Sequence, residues 1–423
     1  MKVLWFTNTP CSAVEKLGMK INSGGWLMSL EEELNKIPEV DLAICFYINQ
    51  DLEPFKYKGT QFYPVLRHST NSKLGRYFSR LLYQNRNKDD KEILKLVSII
   101  SIFNPDIIHI HGTEENFGFV HYHTDIPIIF SLQGILSPYA EKYFAGIPFR
   151  IATKFEGLIP KILAKGLKRT YKQFTKNSEC EQRIMQDSRF IIGRTDWDHH
   201  VSKILATRSQ YFYCSEILRT TFYENEWRKE KFNERIQMVT IIDDVLYKGF
   251  ETIVNIAKLL TQRTNFSFTW KVIGLSTISK SVKIVQKWKN LDFKSINIEL
   301  MGSKNQNEVI AILLKSDVYC HLSHIENSSN SISEAMILGM PVIATFAGGT
   351  SSLLEDKKEG LLVQEGEYYS IAGAIIELTS NFSLAAKYGS EARKRALVRH
   401  DKKRIIIDLL VVYDLIYKKS INT

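Results

Sequence analysis

Short apolar runs alternating with stretches of helical period recur along the chain, and they do so in two successive series. In the first, Val3–Phe6, Asp41–Tyr47, Ile107–His111, Pro127–Leu132 and Phe190–Gly193 read as buried strands. Helical patterns at 26–36 and Lys91–Phe103 stand between them. The second series restarts with Met238–Ile242 and continues through Trp270–Ile273, Ile296–Met301, Val318–Leu322, Val342–Thr345 and Gly360–Val363. Its first helix, from Phe250 to Leu260, sets Phe250, Ile253, Ala257 and Leu260 on one face. Strands that alternate with helices need crossover connections, which place helices on both faces of a parallel sheet. The fold class is therefore α/β, with two doubly wound Rossmann-like domains and a ligand cleft expected at the carboxyl ends of the strands.

The expected boundaries are 1–222 for the first domain, 223–236 for a polar linker and 237–398 for the second domain. A helical apolar stripe within 399–423 is expected to pack back on the first domain. A chain of 423 residues that is 44% hydrophobic and 24% charged has enough apolar surface for two cores, which excludes a disordered or low-complexity chain. No run approaches the roughly 20 apolar residues of a bilayer span. Five scattered cysteines offer neither a disulfide framework nor a zinc knuckle, and the amino terminus reads as a strand, so a soluble cytoplasmic protein is expected.

The net charge is +10, and residues 142–183 hold ten Lys or Arg against three acids. Phe144, Phe149, Ile151, Phe155, Leu158, Ile162, Leu163 and Leu167 interleave with those cations. That pattern suits an anionic membrane surface, or else helices covering the first sheet with a solvated charged face. The rest of the chain is only weakly basic, which argues against nucleic acid as a partner.

Glu326 and Glu334 are eight residues apart, separated by the polar run Asn327, Ser328, Ser329, Asn330 and Ser331. The first follows a buried strand, and the second falls in the opening turn of a helix whose N–H groups suit an anion or sugar hydroxyls. A capping box formed by Ser331 and Glu334 is the structural alternative for Glu334, and it leaves Glu326 unexplained. Lys248 reads either as a phosphate ligand or as a solvated lysine before a helix. His109 and His111 share a strand face without a third metal ligand nearby, so one is expected to face the cleft. Asp196 and Asp198 follow Thr195 at a helix start and read as caps. No metal site and no resident cofactor are expected.

The spacing Glu326-x7-Glu334, the sequel Ala335, Met336, Gly339, Pro341 and Val342, the pair Gly348 and Gly349, and the element Lys248, Gly249 and Phe250 resemble the retaining glycosyltransferases of family 4. The likeness is strongest over 237–365. Residues 193–198, with Glu216–Arg219, resemble the branch found in bacterial surface-polysaccharide clusters. The resemblance implies a GT-B enzyme that moves a sugar from a nucleotide-diphosphate donor to a glycan or lipid-linked acceptor. Glu326, with the amides of 327–330, would then touch the donor sugar, and Glu334 the ribose hydroxyls. Lys248 and the backbones of Gly24, Gly25, Gly348 and Gly349 would meet the diphosphate, with Gln133 and His111 on the acceptor side.

Three positions depart from that pattern. Asp243 stands where the family usually has arginine, so the resemblance implies that Arg194 or another base substitutes, or that the donor binds more weakly. Gln133 stands where many members have histidine, and serines and an asparagine replace the glycines of the Glu326 loop. A nucleotide-sugar epimerase and a catalytically silent partner subunit stay open as alternative readings.

Overall fold

The structure is a computed structural model that describes residues 1–19, 25–67, 90–157 and 166–421. The chain divides into two compact units. Unit 1 comprises Met1–Ala140, Arg169–Arg219 and His400–Thr423, and unit 2 comprises Glu141–Lys168 and Thr220–Arg399.

Unit 1 is built on an eight-stranded sheet. Its strands are β1 (Lys2–Thr7), β2 (Asp41–Ile48), β3 (Phe55–Tyr57), β4 (Thr60–Leu66), β5 (Ile107–His111), β6 (Ile128–Ser131), β7 (Phe190–Gly193) and β8 (Gln210–Tyr213). They lie in the order β3-β4-β2-β1-β5-β6-β7-β8, parallel throughout except for the antiparallel β3. Residues 3–6 are fully buried, as expected of a strand covered on both faces. The hairpin β3–β4 and the strand β8 were not evident in the sequence. Pro64 argues against a central strand, but β3 reaches only as far as Phe62, so Pro64 lies where β4 is itself an edge.

One face of this sheet packs Val3, Trp5, Ile44 and Phe46 against Leu27 and Leu30 of the helix Gly25–Leu34. Ile405, Leu409 and Tyr413 of the helix Lys402–Ile421 join the same core. The Tyr413 hydroxyl accepts a 3.1 Å hydrogen bond from Trp5 Nε1. The other face packs Leu4, Phe6, Ile108 and Ile110 against Leu96 and Ile100 of the helix Asp90–Phe103.

Unit 2 holds six parallel strands: β9 (Ile236–Ile241), β10 (Phe268–Ile273), β11 (Ile298–Gly302), β12 (Val318–His321), β13 (Val342–Thr345) and β14 (Leu361–Val363). Their order is β11-β10-β9-β12-β13-β14. Each falls on an apolar run identified in the sequence, shifted by two residues at most. Phe250, Ile253, Ala257 and Leu260 do share the buried face of their helix.

The structure corrects two parts of the expected division. Residues 223–236 belong to unit 2 and are not a free linker: Trp227 is buried, its backbone N–H bonded to Leu338 O at 2.7 Å and its indole N–H to Ser316 O at 2.8 Å. The basic stretch 142–183 is not one amphipathic element, because the division between units falls inside it, at Lys168. Phe144, Ile151, Phe155 and Leu167 pack into the core of unit 2, so these four side chains are turned inward, while Phe149 is exposed. Leu158, Ile162 and Leu163 lie outside the described residues.

Candidate active site

In an open parallel sheet the strand order reverses at one point, and the loops leaving the two strands there diverge and open a crevice for ligands. In unit 2 this point lies between β9 and β12. Lys248 follows β9 on a short turn, Leu246–Lys248, and Glu326 follows β12. The two loops are joined by a backbone bond from His324 N to Tyr247 O at 2.8 Å. Across the gap Lys248 Nζ meets Glu326 Oε1 at 2.5 Å, with both side chains mostly buried.

Glu326 has a second partner, His321 Nε2, at 3.0 Å. With that nitrogen donating, Nδ1 of the same ring accepts from the Tyr319 hydroxyl at 3.3 Å. Tyr319, His321 and Ser323 alternate along the strand, so a period of two aligns them on one side. That alternation was visible in the sequence and passed over. Burial alone would raise the Glu326 carboxyl, but the ammonium of Lys248 and the ring of His321 override it and hold the group well below the usual carboxylate range.

The loop is fixed from the other side by Gly348 and Gly349. Gly349 N donates to Glu326 O at 2.9 Å, so this N–H orients the carboxylate loop, where a role on the diphosphate was expected. Gly348 has φ +54, and a Cβ there would lie 1.9 Å from Glu326 O, so only glycine fits the approach.

The helix that follows is Asn330–Leu338, with Ser329 at its N-cap position, whose side chain makes no capping hydrogen bond. The Ser331 capping box does not form; Ser331 Oγ is 3.0 Å from Ser329 Oγ instead. Glu334 is the fifth helical residue, two positions further in than a Ser331 cap would put it, and is buried. Asn327 and Ser329 are buried beside Glu326 in sequence, while Ser328 and Asn330 are partly exposed. The structure thus assembles Lys248, Glu326 and Gly349 in one place, with the 327–334 loop and helix running on from it.

A further ionic chain in unit 2 escaped the sequence reading. His324 Nε2 lies 2.6 Å from Glu251 Oε1, and Nδ1 lies 3.7 Å from Glu365, which Lys142 also pairs. Burial would lower the His324 pKa, but Glu251 and then Glu365 raise it above the ordinary histidine value.

The remaining expected residues, Asp243 apart, lie in unit 1. Gly25 opens the helix Gly25–Leu34, and Gly24 falls outside the described residues. Gln133 is half-buried in the turn after β6. Arg194 is not available as a phosphate ligand: it is 5% exposed, its Nη1 pairs with Glu216 at 2.9 Å, its Nη2 donates to Leu132 O at 2.9 Å, and its guanidinium lies over the Trp26 ring. Asp243 is exposed, and neighbouring Asp244 caps the helix Lys280–Lys289 through Lys280 N and Ser281 N.

His111 is enclosed by Trp5, Trp26 and His109 and is 1% exposed, so it does not face outward. Burial pushes its pKa well below the ordinary value. His109 is fixed by the Tyr413 hydroxyl and Ser131, both at 2.6 Å. Thr195 and Asp198 form the expected capping box. Among the described residues no group of three or more His, Cys, Asp or Glu is placed to hold a metal, and no helix is long and apolar enough to cross a membrane.

Residues 222–395 match the family described as Glycosyl transferases group 1. A poly(ribitol-phosphate) alpha-N-acetylglucosaminyltransferase of Staphylococcus aureus is 26% identical over 160 residues, which is 38% of this chain and 31% of that protein. The chain spans about a third to a half of the length of the curated relatives it matches. Sucrose-phosphate synthase from Thermosynechococcus elongatus superposes with a TM-score of 0.74 at 12% identity, covering 99% of this chain and 100% of that one. Anabaena HepE in complex with UDP and glucose gives 0.66 at 15% identity, covering 98% and 99%. At such identities the likeness establishes the fold, which is the two-Rossmann GT-B architecture of these glycosyltransferases.

Proposed function

We propose that the chain is a retaining glycosyltransferase that moves a sugar from a nucleotide-diphosphate donor to a hydroxyl of a glycan or lipid-linked acceptor in surface-polysaccharide assembly, without a metal ion, on the cytoplasmic side of the membrane. The observation that carries this reading is the Lys248–Glu326 pair at the strand reversal of unit 2, inside the stretch that matches the glycosyltransferase family. Anomeric carbon–oxygen cleavage develops negative charge on the departing phosphate. A fixed ammonium such as Lys248 and the first turn of Asn330–Leu338, which the Ser329 side chain does not cap, suit that charge.

Glu326, kept ionised, would accept hydrogen bonds from donor-sugar hydroxyls, and Glu334 from the ribose. The acceptor oxygen would bond to the anomeric carbon on the face the phosphate leaves, its proton passing to the leaving phosphate. No side-chain base is then needed at Gln133, and Phe144, Ile151, Phe155 and Leu167, packed inside unit 2, take no part in reaching a membrane.

The test is nucleoside diphosphate release from UDP-, GDP- and ADP-sugars, each with and without octyl glucoside, ribitol or L-malate. Release that requires an acceptor supports the reading. Isomerisation or release that is indifferent to an acceptor would mean epimerase-type chemistry. Binding without turnover would favour a silent subunit, the reading to which exposed Asp243 and engaged Arg194 lend weight.

A further inference from the structure

In unit 1 the strand order reverses between β1 and β5, so the loops leaving these two strands occupy the position that Lys248 and Glu326 occupy in unit 2. The loop after β1 supplies Asn8, which is exposed, and the loop after β5 supplies Glu114, which is half-buried. They meet across the reversal: Asn8 Nδ2 donates to Glu114 Oε2 at 3.2 Å. The other carboxylate oxygen lies 3.5 Å from Gly134 N, in the turn after the next strand, β6. Three adjacent strand ends therefore converge on one carboxylate.

The backbone is shaped around this group. Gly112 has φ +95, and a Cβ there would fall 2.1 Å from Glu114 Oε2 and 3.2 Å from Asn8 Nδ2. Beneath lies Glu181, fully buried, receiving the Thr113 hydroxyl at 2.5 Å and Ser137 N at 3.2 Å. The other charged neighbour is Glu115, which is paired with Arg67. Among the described residues no ammonium or guanidinium faces Glu114 as Lys248 faces Glu326, and its partners are the Asn8 amide and the N–H groups of Gly134 and of Glu114 itself, which leave lone pairs for other donors.

We propose that Glu114, positioned by Asn8, recognises the acceptor by taking a hydrogen bond from one of its hydroxyls, and that the acceptor it selects is a neutral sugar or polyol. A carboxylate with no cation opposite favours hydroxyl donors and repels an anionic hydroxy acid. This assignment rests on the transferase reading above and names the substrate class on its acceptor side. Burial raises the Glu114 carboxyl above the ordinary range, while hydrogen bonds from its own N–H, from Gly134 N and from Asn8 oppose the shift. The ionised, hydroxyl-accepting form is accordingly lost at a higher pH than for a free glutamate.

Steady-state kinetics with UDP-glucose and UDP-N-acetylglucosamine as donors and octyl glucoside or ribitol as acceptors test the proposal. Glu114→Ala should raise the acceptor KM about 10- to 100-fold, the range of a hydrogen bond to a charged group, with the donor KM within about twofold. Wild-type acceptor KM should worsen as pH falls through the raised carboxyl pKa, and Glu114→Gln should flatten that limb. Should Glu114→Ala fail to fold, the acid limb of Glu114→Gln decides alone. Unchanged acceptor KM and an unchanged acid limb in an active enzyme overturn this assignment and leave the transferase standing, as does preferential use of L-malate. No turnover by the wild-type protein with any donor–acceptor pair overturns both.

Discussion

The two strand reversals make an instructive pair. Both lie at the carboxyl ends of a parallel sheet, and both carry a buried or half-buried glutamate reached by a side chain from the neighbouring loop. In unit 2 that side chain is an ammonium, and Glu326 is held below the usual carboxylate range. In unit 1 it is a carboxamide, and Glu114 is pushed above it. Topology decides where a ligand can enter, and the charge opposite the carboxylate biases which ligand gains: on the proposed assignments, a polyanion in the one case and neutral hydroxyls in the other.

The two mostly buried cations give the largest contrasts. Arg194→Met strands Glu216 and should cost about 3–5 kcal/mol in urea unfolding, the range for breaking a buried pair, while donor KM stays within about twofold. A large rise in donor KM would instead return Arg194 to the phosphate. Lys248→Met should do the reverse, lowering single-turnover transfer by about 10²–10³, the effect of removing one fixed donor to a developing anion. Normal transfer in that variant would dissolve the distinction between the units.

The carboxyls should also separate the units by the sign of their pH response. Glu326, depressed on folding, stabilises the protein above the ordinary carboxylate range, and that contribution is lost as pH falls through its folded value. Glu181 in unit 1 is pushed up to about 7 by burial, so its contribution is complete below about pH 4.5 and disappears as pH rises through 7. Glu181→Gln should therefore remove roughly 3 kcal/mol of the difference between pH 4 and pH 8, read from urea midpoints. An unchanged pH profile would show that Glu181 titrates normally. The smallest effect is expected from Gly348→Ala, about 1–3 kcal/mol of backbone strain delivered to the Glu326 loop, seen as a lowered melting temperature.

The same contrast marks what could be read from the chain. Every strand of unit 2 announced itself as an apolar run: the central β9, β10, β12 and β13 because strands covered on both faces show no polar alternation, and the partly exposed edges β11 and β14 through their aliphatic residues alone. The edge elements β3, β4 and β8 did not, since their side chains are partly exposed and one holds a proline. Trp227 fixes residues 223–236 to unit 2 through two backbone carbonyls, a role that its polar surroundings in the sequence concealed.

At the candidate site, Lys248 and Glu326 were legible because each sits in a compact motif, although only folding brings residues 78 apart into contact. Glu114 and Asn8 are 106 apart and lie in polar loops without periodicity, so neither stands out alone. Arg194 was misassigned because a sequence shows a cation without showing that Glu216 and Trp26 already hold it.

The helix Lys402–Ile421 bears on how the molecule is made. Ile405, Leu409 and Tyr413 complete the core around Trp5, so Trp5 waits for a partner 408 positions further along the chain before its sheet is sealed. During synthesis unit 2 has all of its segments as soon as Arg399 emerges, while unit 1 stays open on one side. A ribosome that stalls before residue 400 would release a polypeptide with its second half able to close and its first half still showing an apolar flank, a species suited to chaperone capture or proteolysis.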